Sequence, residues 1–250
     1  MKRVDSLLAE LGLAESRAKA VEMIKDGRVS YLGKSVKKSS MLVSSEGLKL
    51  LPGDDFVGRG WKKIEGALNN FQINVANLVI ADIGACTGGF SDFVLQKGAK
   101  KVYAVDVGQN QLASKLKSDA RVINLEKVNV KHGLELDEKI DLAMIDVSFI
   151  SVKHILINVF KNLKEDGKVV SLIKPQFEVG KENISKGGIV KDSVLRKKAL
   201  EDIYCWCEEN GIYVTNFCHS PISGKTGNIE YFYLLEKKKA LKIKLEEVLV

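Results

Sequence analysis

A chain of 250 residues, 45% apolar and 28% charged, can hold one ordinary packed domain plus a small module, and is too apolar for a disordered chain. Its formal charge of +7 and pI near 9.0 favour a polyanionic partner, nucleic acid above all, and no window approaches the run of about eighteen apolar residues that crosses a membrane as a helix. Cys86, Cys205, Cys207 and Cys218 form neither a disulfide framework nor a zinc spacing. They read as reduced thiols in a cytoplasmic protein that holds no metal. Met1-Lys2-Arg3-Val4-Asp5 lacks the apolar run of a signal peptide.

Residues 1–51 read as a small α+β unit. Val4, Leu7, Leu8 and Leu11 fall on one helical face, and Gly12 stops that helix. Ser16 caps a second helix whose buried side is Ala20, Val21 and Ile24, and Gly27 ends it. Short extended pieces follow around Gly33-Lys34, and Leu48 to Leu51 closes the unit. It carries ten basic and six acidic side chains, so over half of the chain's excess positive charge lies in a fifth of its length. Arg3, Arg17, Lys19, Lys25, Arg28 and Lys34 are its candidate phosphate contacts. The stretch from Ala14-Glu15-Ser16-Arg17 through Gly27-Arg28-Val29 to Gly33-Lys34 resembles the RNA-binding fold named after the fourth small-subunit ribosomal protein. Residues 52–60, with the turn signal Pro52-Gly53-Asp54-Asp55, read as a linker, and Arg59 within it as a further RNA contact.

Residues 61–250 form the main domain. Strands are expected at 78–83, 101–107, 122–125, 142–147 and 169–173, with helices at 90–96, 111–117 and 152–163 between them. A long helix at 193–209 precedes two last strands, 213–219 and 229–236. The alternation predicts a doubly wound, mostly parallel seven-stranded sheet covered on both faces, with one antiparallel strand from the closing hairpin. The run from Lys237 to Leu249 reads as a surface helix.

The first of these strands enters Asp82-Ile83-Gly84-Ala85-Cys86-Thr87-Gly88-Gly89-Phe90. Small residues permit a sharp turn and close approach to a ligand, and the next helix offers free N–H groups. The spacing is not that of a dinucleotide turn. It resembles the Asp-x-Gly-x-x-x-Gly spacing typical of methyltransferases that bind S-adenosyl-L-methionine. Asp82, Gly84, Ala85, Thr87, Gly88, Gly89 and Phe90 are therefore candidate cofactor contacts. Asp106 ends the second strand, where a carboxylate can hold ribose hydroxyls, with Val107 beside it. Asn129 and Asp146 complete the candidate set.

Asp146 and Lys174 end the fourth and fifth strands, the edge at which open α/β sheets bind ligands. Glu230 opens the antiparallel last strand and so reaches the same rim. Lys63 stands in Gly58-Arg59-Gly60-Trp61-Lys62-Lys63, with Lys62 adjacent. The motifs Gly-Ala-Cys-Thr-Gly-Gly-Phe (84–90), Ala-Val-Asp-Val-Gly (104–108), Ile-Asp-Val-Ser-Phe-Ile-Ser (145–151), Lys-Pro-Gln-Phe-Glu (174–178), Lys-Gly-Gly-Ile-Val (186–190) and Gly-Asn-Ile-Glu (227–230) resemble the TlyA (haemolysin A) family of ribosomal RNA 2′-O-methyltransferases, whose catalytic domain is FtsJ-like. The resemblance implies a Lys63–Asp146–Lys174–Glu230 tetrad, with Lys174 as base, Asp146 and Glu230 positioning it, and Lys63 helping to hold the ribose or to depress its pKa. It implies a cytidine of ribosomal RNA as target, in the large subunit or in both subunits, the chain's short length favouring the large subunit. The alternatives are a non-catalytic ribosome assembly factor and a membrane-active haemolysin.

Overall fold

The computed structural model describes residues 1–25, 27–51 and 56–238. The expected turn at Pro52–Asp55, and residues 239–249 of the expected terminal helix, lie outside the described residues. The chain divides into two compact units, Met1–Asp55 and Phe56–Val250.

In the first unit β1 (Lys2–Arg3) leads into α1 (Val4–Glu10), and α2 (Arg17–Lys25) follows. Gly12 and Gly27, at φ +67° and +72°, make the left-handed turns that end these helices. The Ser16 hydroxyl accepts the Lys19 N–H at 3.2 Å and caps α2 as expected. Short strands β2 (Val29–Tyr31), β3 (Lys34–Ser35), β4 (Leu42–Val43) and β5 (Leu48–Leu50) complete the unit. They pair as a three-stranded sheet in the order β3-β2-β5 and a separate β1–β4 ladder. Val4, Leu8, Ala20, Ile24, Val29 and Val43 close a small core.

The second unit opens with a helix that the strand-and-helix rhythm did not predict, α3 (Gly60–Asn70). Its signal is present: Ile64, Ala67, Leu68 and Phe71 stand at helical spacing and are all buried. Phe56 and Val57, assigned above to a linker, pack against the core of this unit, with Phe56 4.8 Å from Trp61 between ring centres. Then come β6 (Val79–Ile83), α4 (Gly89–Gln96), β7 (Lys101–Val105), α5 (Ser114–Lys117), β8 (Val122–Leu125), β9 (Ile140–Ile145), α6 (Lys153–Phe160), β10 (Leu163–Ile173), α7 (Ser193–Glu209), β11 (Tyr213–His219) and β12 (Tyr231–Glu236). β10 begins six residues before its predicted start, because Leu163 pairs with Ile140 ahead of an irregularity that ends at Lys168. The predicted helix at 111–117 keeps only its last turn.

The sheet order is β11-β12-β10-β9-β6-β7-β8. β6 to β10 run parallel, and β12 lies antiparallel between β10 and β11, as expected for a closing hairpin. Strand alternation builds two cores. Val79, Ala81 and Ile83 face α6 and α7, whereas Ile80 faces α3 and α4. Both faces are covered, so the only open ends of the parallel strands are their carboxyl and amino edges. Among the described residues no helix is long and apolar enough to cross a membrane.

Candidate active site

The loop from β6 to α4 turns by three left-handed residues, Gly84 (φ +86°), Cys86 (φ +50°) and Gly88 (φ +95°). A Cβ on Gly84 would lie 2.6 Å from the Asp146 carbonyl oxygen, so the loop presses against the end of β9. A Cβ on Gly88 would strike Leu116 and Leu112, and one on Gly89 would lie 2.9 Å from the Val57 carbonyl oxygen. These glycines let three backbone segments converge where a side chain would hold them apart.

Asp82 sits beneath the loop and not in it. Its Oδ2 accepts the Ser91 amide at 2.9 Å and the Ser91 hydroxyl at 2.7 Å, and it is 1% exposed. Burial, aided by the charges of Asp146 and Asp106, pushes its carboxyl up to about 7 against the Ser91 bonds. The role expected of it as a direct cofactor contact gives way to that of a brace for α4. Phe90 is likewise turned away: its ring is 4% exposed and lies 6.5 Å from Phe232 in the core, so only its backbone faces the loop.

Asp106 stands at the mouth of β7. Its Oδ2 accepts Cys86 N–H at 2.8 Å and its Oδ1 accepts Gly108 N–H at 2.6 Å. A carboxylate has about four acceptor sites, so each oxygen keeps capacity for one hydroxyl of a vicinal diol. Ala85, Cys86, Asp106, Gln111, Asn124 and Glu126 line a small cleft here. Val107 is 69% exposed at its edge. Thr87 is exposed, and its carbonyl accepts Ala113 N–H at 3.2 Å. Asn129, expected at the adenine edge, is exposed with its Oδ1 accepting Lys131 N–H at 3.1 Å, outside this lining. Asn124 and Glu126, at the end of β8, occupy the lining instead and were not anticipated. The tight loop and the part-occupied Asp106 carboxylate fit the ribose and methionine portions of S-adenosylmethionine, which carries no pyrophosphate to cradle.

The four tetrad candidates form two ion pairs. Lys174 Nζ lies 2.6 Å from Asp146 Oδ1 and donates to Ser148 Oγ at 2.9 Å. Lys63 Nζ donates to Glu230 Oε2 at 2.6 Å. The Glu230 carboxylate, which the resemblance placed beside Lys174, pairs with Lys63. Lys63 is the buried lysine of its helix, at 7% exposure, whereas Lys62 lies over the Trp61 ring at 5.4 Å. Arg59, read above as an RNA contact, donates to the Ser223 carbonyl at 2.8 Å and ties the start of α3 to the loop that leads to Glu230. Asn228, 1% exposed, accepts Val190 N–H at 2.9 Å and donates to the Gly188 carbonyl at 2.7 Å, joining two of the sequence motifs.

Beside Lys174, Phe149 is 91% exposed at φ +65° and stands 5.1 Å from the Phe177 ring. Lys174 Nζ lies 5.9 Å from the Phe177 ring centre. Glu178 fastens this corner by accepting Val152 N–H at 3.0 Å, and burial raises its carboxyl above the usual range. Sequence reasoning named neither Phe149 nor Glu178 as a site residue; an aromatic in a polar strand-end loop was the available signal.

In the first unit Arg3 and Arg17 both bind the Asp5 carboxylate, at 3.0 Å each. Lys25 and Lys34 are exposed, and Lys19 and Arg28 are half-buried. Among the described residues no cluster of three or more metal-ligating side chains occurs, and all four cysteines are free.

Comparison with known proteins agrees with this geometry. Residues 56–237 match the FtsJ-like methyltransferase family and residues 2–48 match the S4 domain. The chain is 41% identical to Hemolysin A of Brachyspira hyodysenteriae over 92% of its own length and 97% of the relative's. It is 38% identical to the 16S/23S rRNA (cytidine-2′-O)-methyltransferase TlyA of Mycobacterium tuberculosis, covering 93% and 89% of the two chains. A solved structure from Streptococcus thermophilus, described as a hemolysin, superposes with a TM-score of 0.78 at 39% identity, covering 99% of this chain and 94% of that one. The chain carries an S4 domain and belongs to the TlyA family of FtsJ-like, S-adenosylmethionine-dependent methyltransferases.

Proposed function

We propose that the chain methylates the 2′-hydroxyl of a cytidine in ribosomal RNA, acting in the cytoplasm on the large subunit, with the small subunit as a second substrate. The observation that carries this reading is the pair Lys174–Asp146, 2.6 Å apart at the carboxyl edge of the sheet and abutting the glycine loop through Gly84. The substrate class follows the relatives, and the basic S4 unit suits an RNA ligand.

S-adenosylmethionine, when bound, supplies a methyl group already activated on a sulfonium. The protein's work is then alignment and proton removal. Gly84 to Gly89 and Asp106 would hold the donor at the carboxyl ends of β6 and β7. Lys174 Nζ, aimed by Asp146 and Ser148, would act as base in its neutral amine form: its own proton having passed to solvent, it would take the 2′-hydroxyl proton as the ribose oxygen attacks. Lys63, held by Glu230, steadies the ribose. The exposed Phe149 ring offers a face on which the target nucleobase stacks.

The test incubates wild type and Lys174→Ala with large and small ribosomal subunits that lack the modification, using radiolabelled S-adenosylmethionine. Label at a cytidine 2′-oxygen from wild type, with a rate about a thousandfold lower for Lys174→Ala and unchanged cofactor affinity, is the expected result. Wild type that binds the cofactor and labels neither subunit overturns the reading.

A further inference from the structure

We propose that Asp5 is a positioning residue that yokes Arg3 and Arg17 into a single clamp for a backbone phosphate of RNA. The proposal rests on the reading that the first unit grips RNA, and it assigns a specific site within that unit.

Asp5 opens the first turn of α1, and its side chain is 4% exposed. Its Oδ1 accepts Arg3 Nε at 3.0 Å, and its Oδ2 accepts Arg3 Nη2 at 3.1 Å. The same Oδ2 accepts Arg17 Nη2 at 3.0 Å. Ser6 N–H fixes Oδ1 at 3.0 Å, so the carboxylate itself is immobilised. The two arginines reach it from different elements, Arg3 from β1 and Arg17 from the start of α2. Their side chains remain 47% and 61% exposed.

The arrangement is asymmetric in a way that a purely structural ion pair is not. One buried carboxylate holds two cations, so the triad keeps a net charge of +1, the complement of one phosphodiester. Among the described residues no acceptor takes Arg3 Nη1 or Arg17 Nε and Nη1. Two free guanidinium edges are therefore held side by side on the surface. Unyoked, the two cations would repel and sample separate rotamers, and a ligand would have to restrict both. Hydrogen bonds from Arg3, and then from Arg17, hold the Asp5 carboxyl well below the usual carboxylate range, so the triad stays ionised at neutral pH.

The consequence runs against simple charge counting. Asp5→Asn raises the formal charge from +7 to +8, which by charge alone strengthens RNA binding. The clamp requires it to weaken binding. The experiment measures fluorescence anisotropy of the full chain with a fluorescein-labelled transcript of large-subunit ribosomal RNA. It compares wild type, Asp5→Asn, Arg3→Lys and Arg17→Lys, with amide resonances of Leu8 and Val43 reporting the fold of the unit. Each variant is expected to bind about fivefold more weakly, the lysines because they keep charge and lose the fork. A folded Asp5→Asn that binds as tightly as wild type, or more tightly, overturns the proposal. If Asp5→Asn does not fold, unchanged affinity of the two lysine variants overturns it instead. A second arm follows the Arg3 and Arg17 Nε–H resonances in the full chain titrated with inorganic phosphate. Paired shifts in wild type that vanish in Asp5→Asn are expected, and no shifts in wild type overturn the clamp. Phosphate shifts without affinity for the transcript keep the clamp and overturn RNA as its occupant.

Discussion

Lys63 Nζ and Glu230 Oε2 lie 2.6 Å apart across 167 positions of sequence, with side chains 9% and 2% exposed. A buried pair of this kind is costly to break from one side, because the remaining charge is desolvated and alone. Glu230→Ala is therefore expected to lower stability by about 3 kcal/mol, and Glu230→Gln by less. The double variant Lys63→Met/Glu230→Leu is expected to recover most of that loss while remaining inactive. Urea denaturation with methyl-transfer assays in parallel checks this. A double variant no more stable than Glu230→Ala would contradict it.

Gly84 combines a left-handed φ of +86° with a position where a Cβ would lie 2.6 Å from the Asp146 carbonyl. Gly84→Ala must shift the loop against the end of β9, displacing both the cofactor turn and the tetrad acid. Calorimetric titration with S-adenosylmethionine should show affinity reduced at least about tenfold, together with a destabilisation of about 1–3 kcal/mol. Wild-type affinity in this variant would show that the loop does not hold the donor.

Phe149 is so exposed that its ring contributes little to the fold. Phe149→Ala should leave stability within about 0.5 kcal/mol of wild type. The loss of one base–aromatic stack, about 1–3 kcal/mol, should nevertheless lower kcat/KM for the RNA by roughly tenfold or more. Cofactor affinity should not change. Steady-state kinetics on ribosomal RNA separates these quantities, and an unaltered kcat/KM would exclude a stacking role.

Asp82 is an acid whose folded pKa, about 7, stands above its unfolded value of 3.8. Between those values the folded chain binds more protons than the unfolded chain. This group's contribution is therefore fully present below about pH 4 and is lost as pH rises towards 7. Asp82→Asn keeps an acceptor for Ser91 without the charge. Relative to wild type, the variant should gain stability as pH rises through that window, by up to about 4 kcal/mol at pH 8. Denaturant melts of both proteins at pH 5 and pH 8 give the difference directly. A pH-independent gap would mean that Asp82 titrates normally.

Much of the fold was legible because the strand rhythm, the glycine stops and the closing hairpin are local properties. Strands from Val79 to Ile173 are apolar runs between turn residues, and period alone places them in a covered parallel sheet. Helix α3 lies outside the strand-and-helix alternation that begins at β6, and its period rests on Ile64, Ala67, Leu68 and Phe71 alone, a short apolar stripe between polar residues. Asp82 and Phe90 belong to the glycine motif but are buried beneath it. A motif gives spacing along the chain, and strand alternation then decides which side chains face the ligand and which face the core.

The sequence by itself determined which residues could take part: two lysines, two carboxylates, a glycine turn and a basic leading segment. Only the tertiary structure decided how they pair. Glu230 goes to Lys63 and Asp146 to Lys174, and Arg3 and Arg17 share Asp5. The physical reason is that an ion pair depends on distance and burial, and both are set by which strand ends and helices the sheet order brings to one edge.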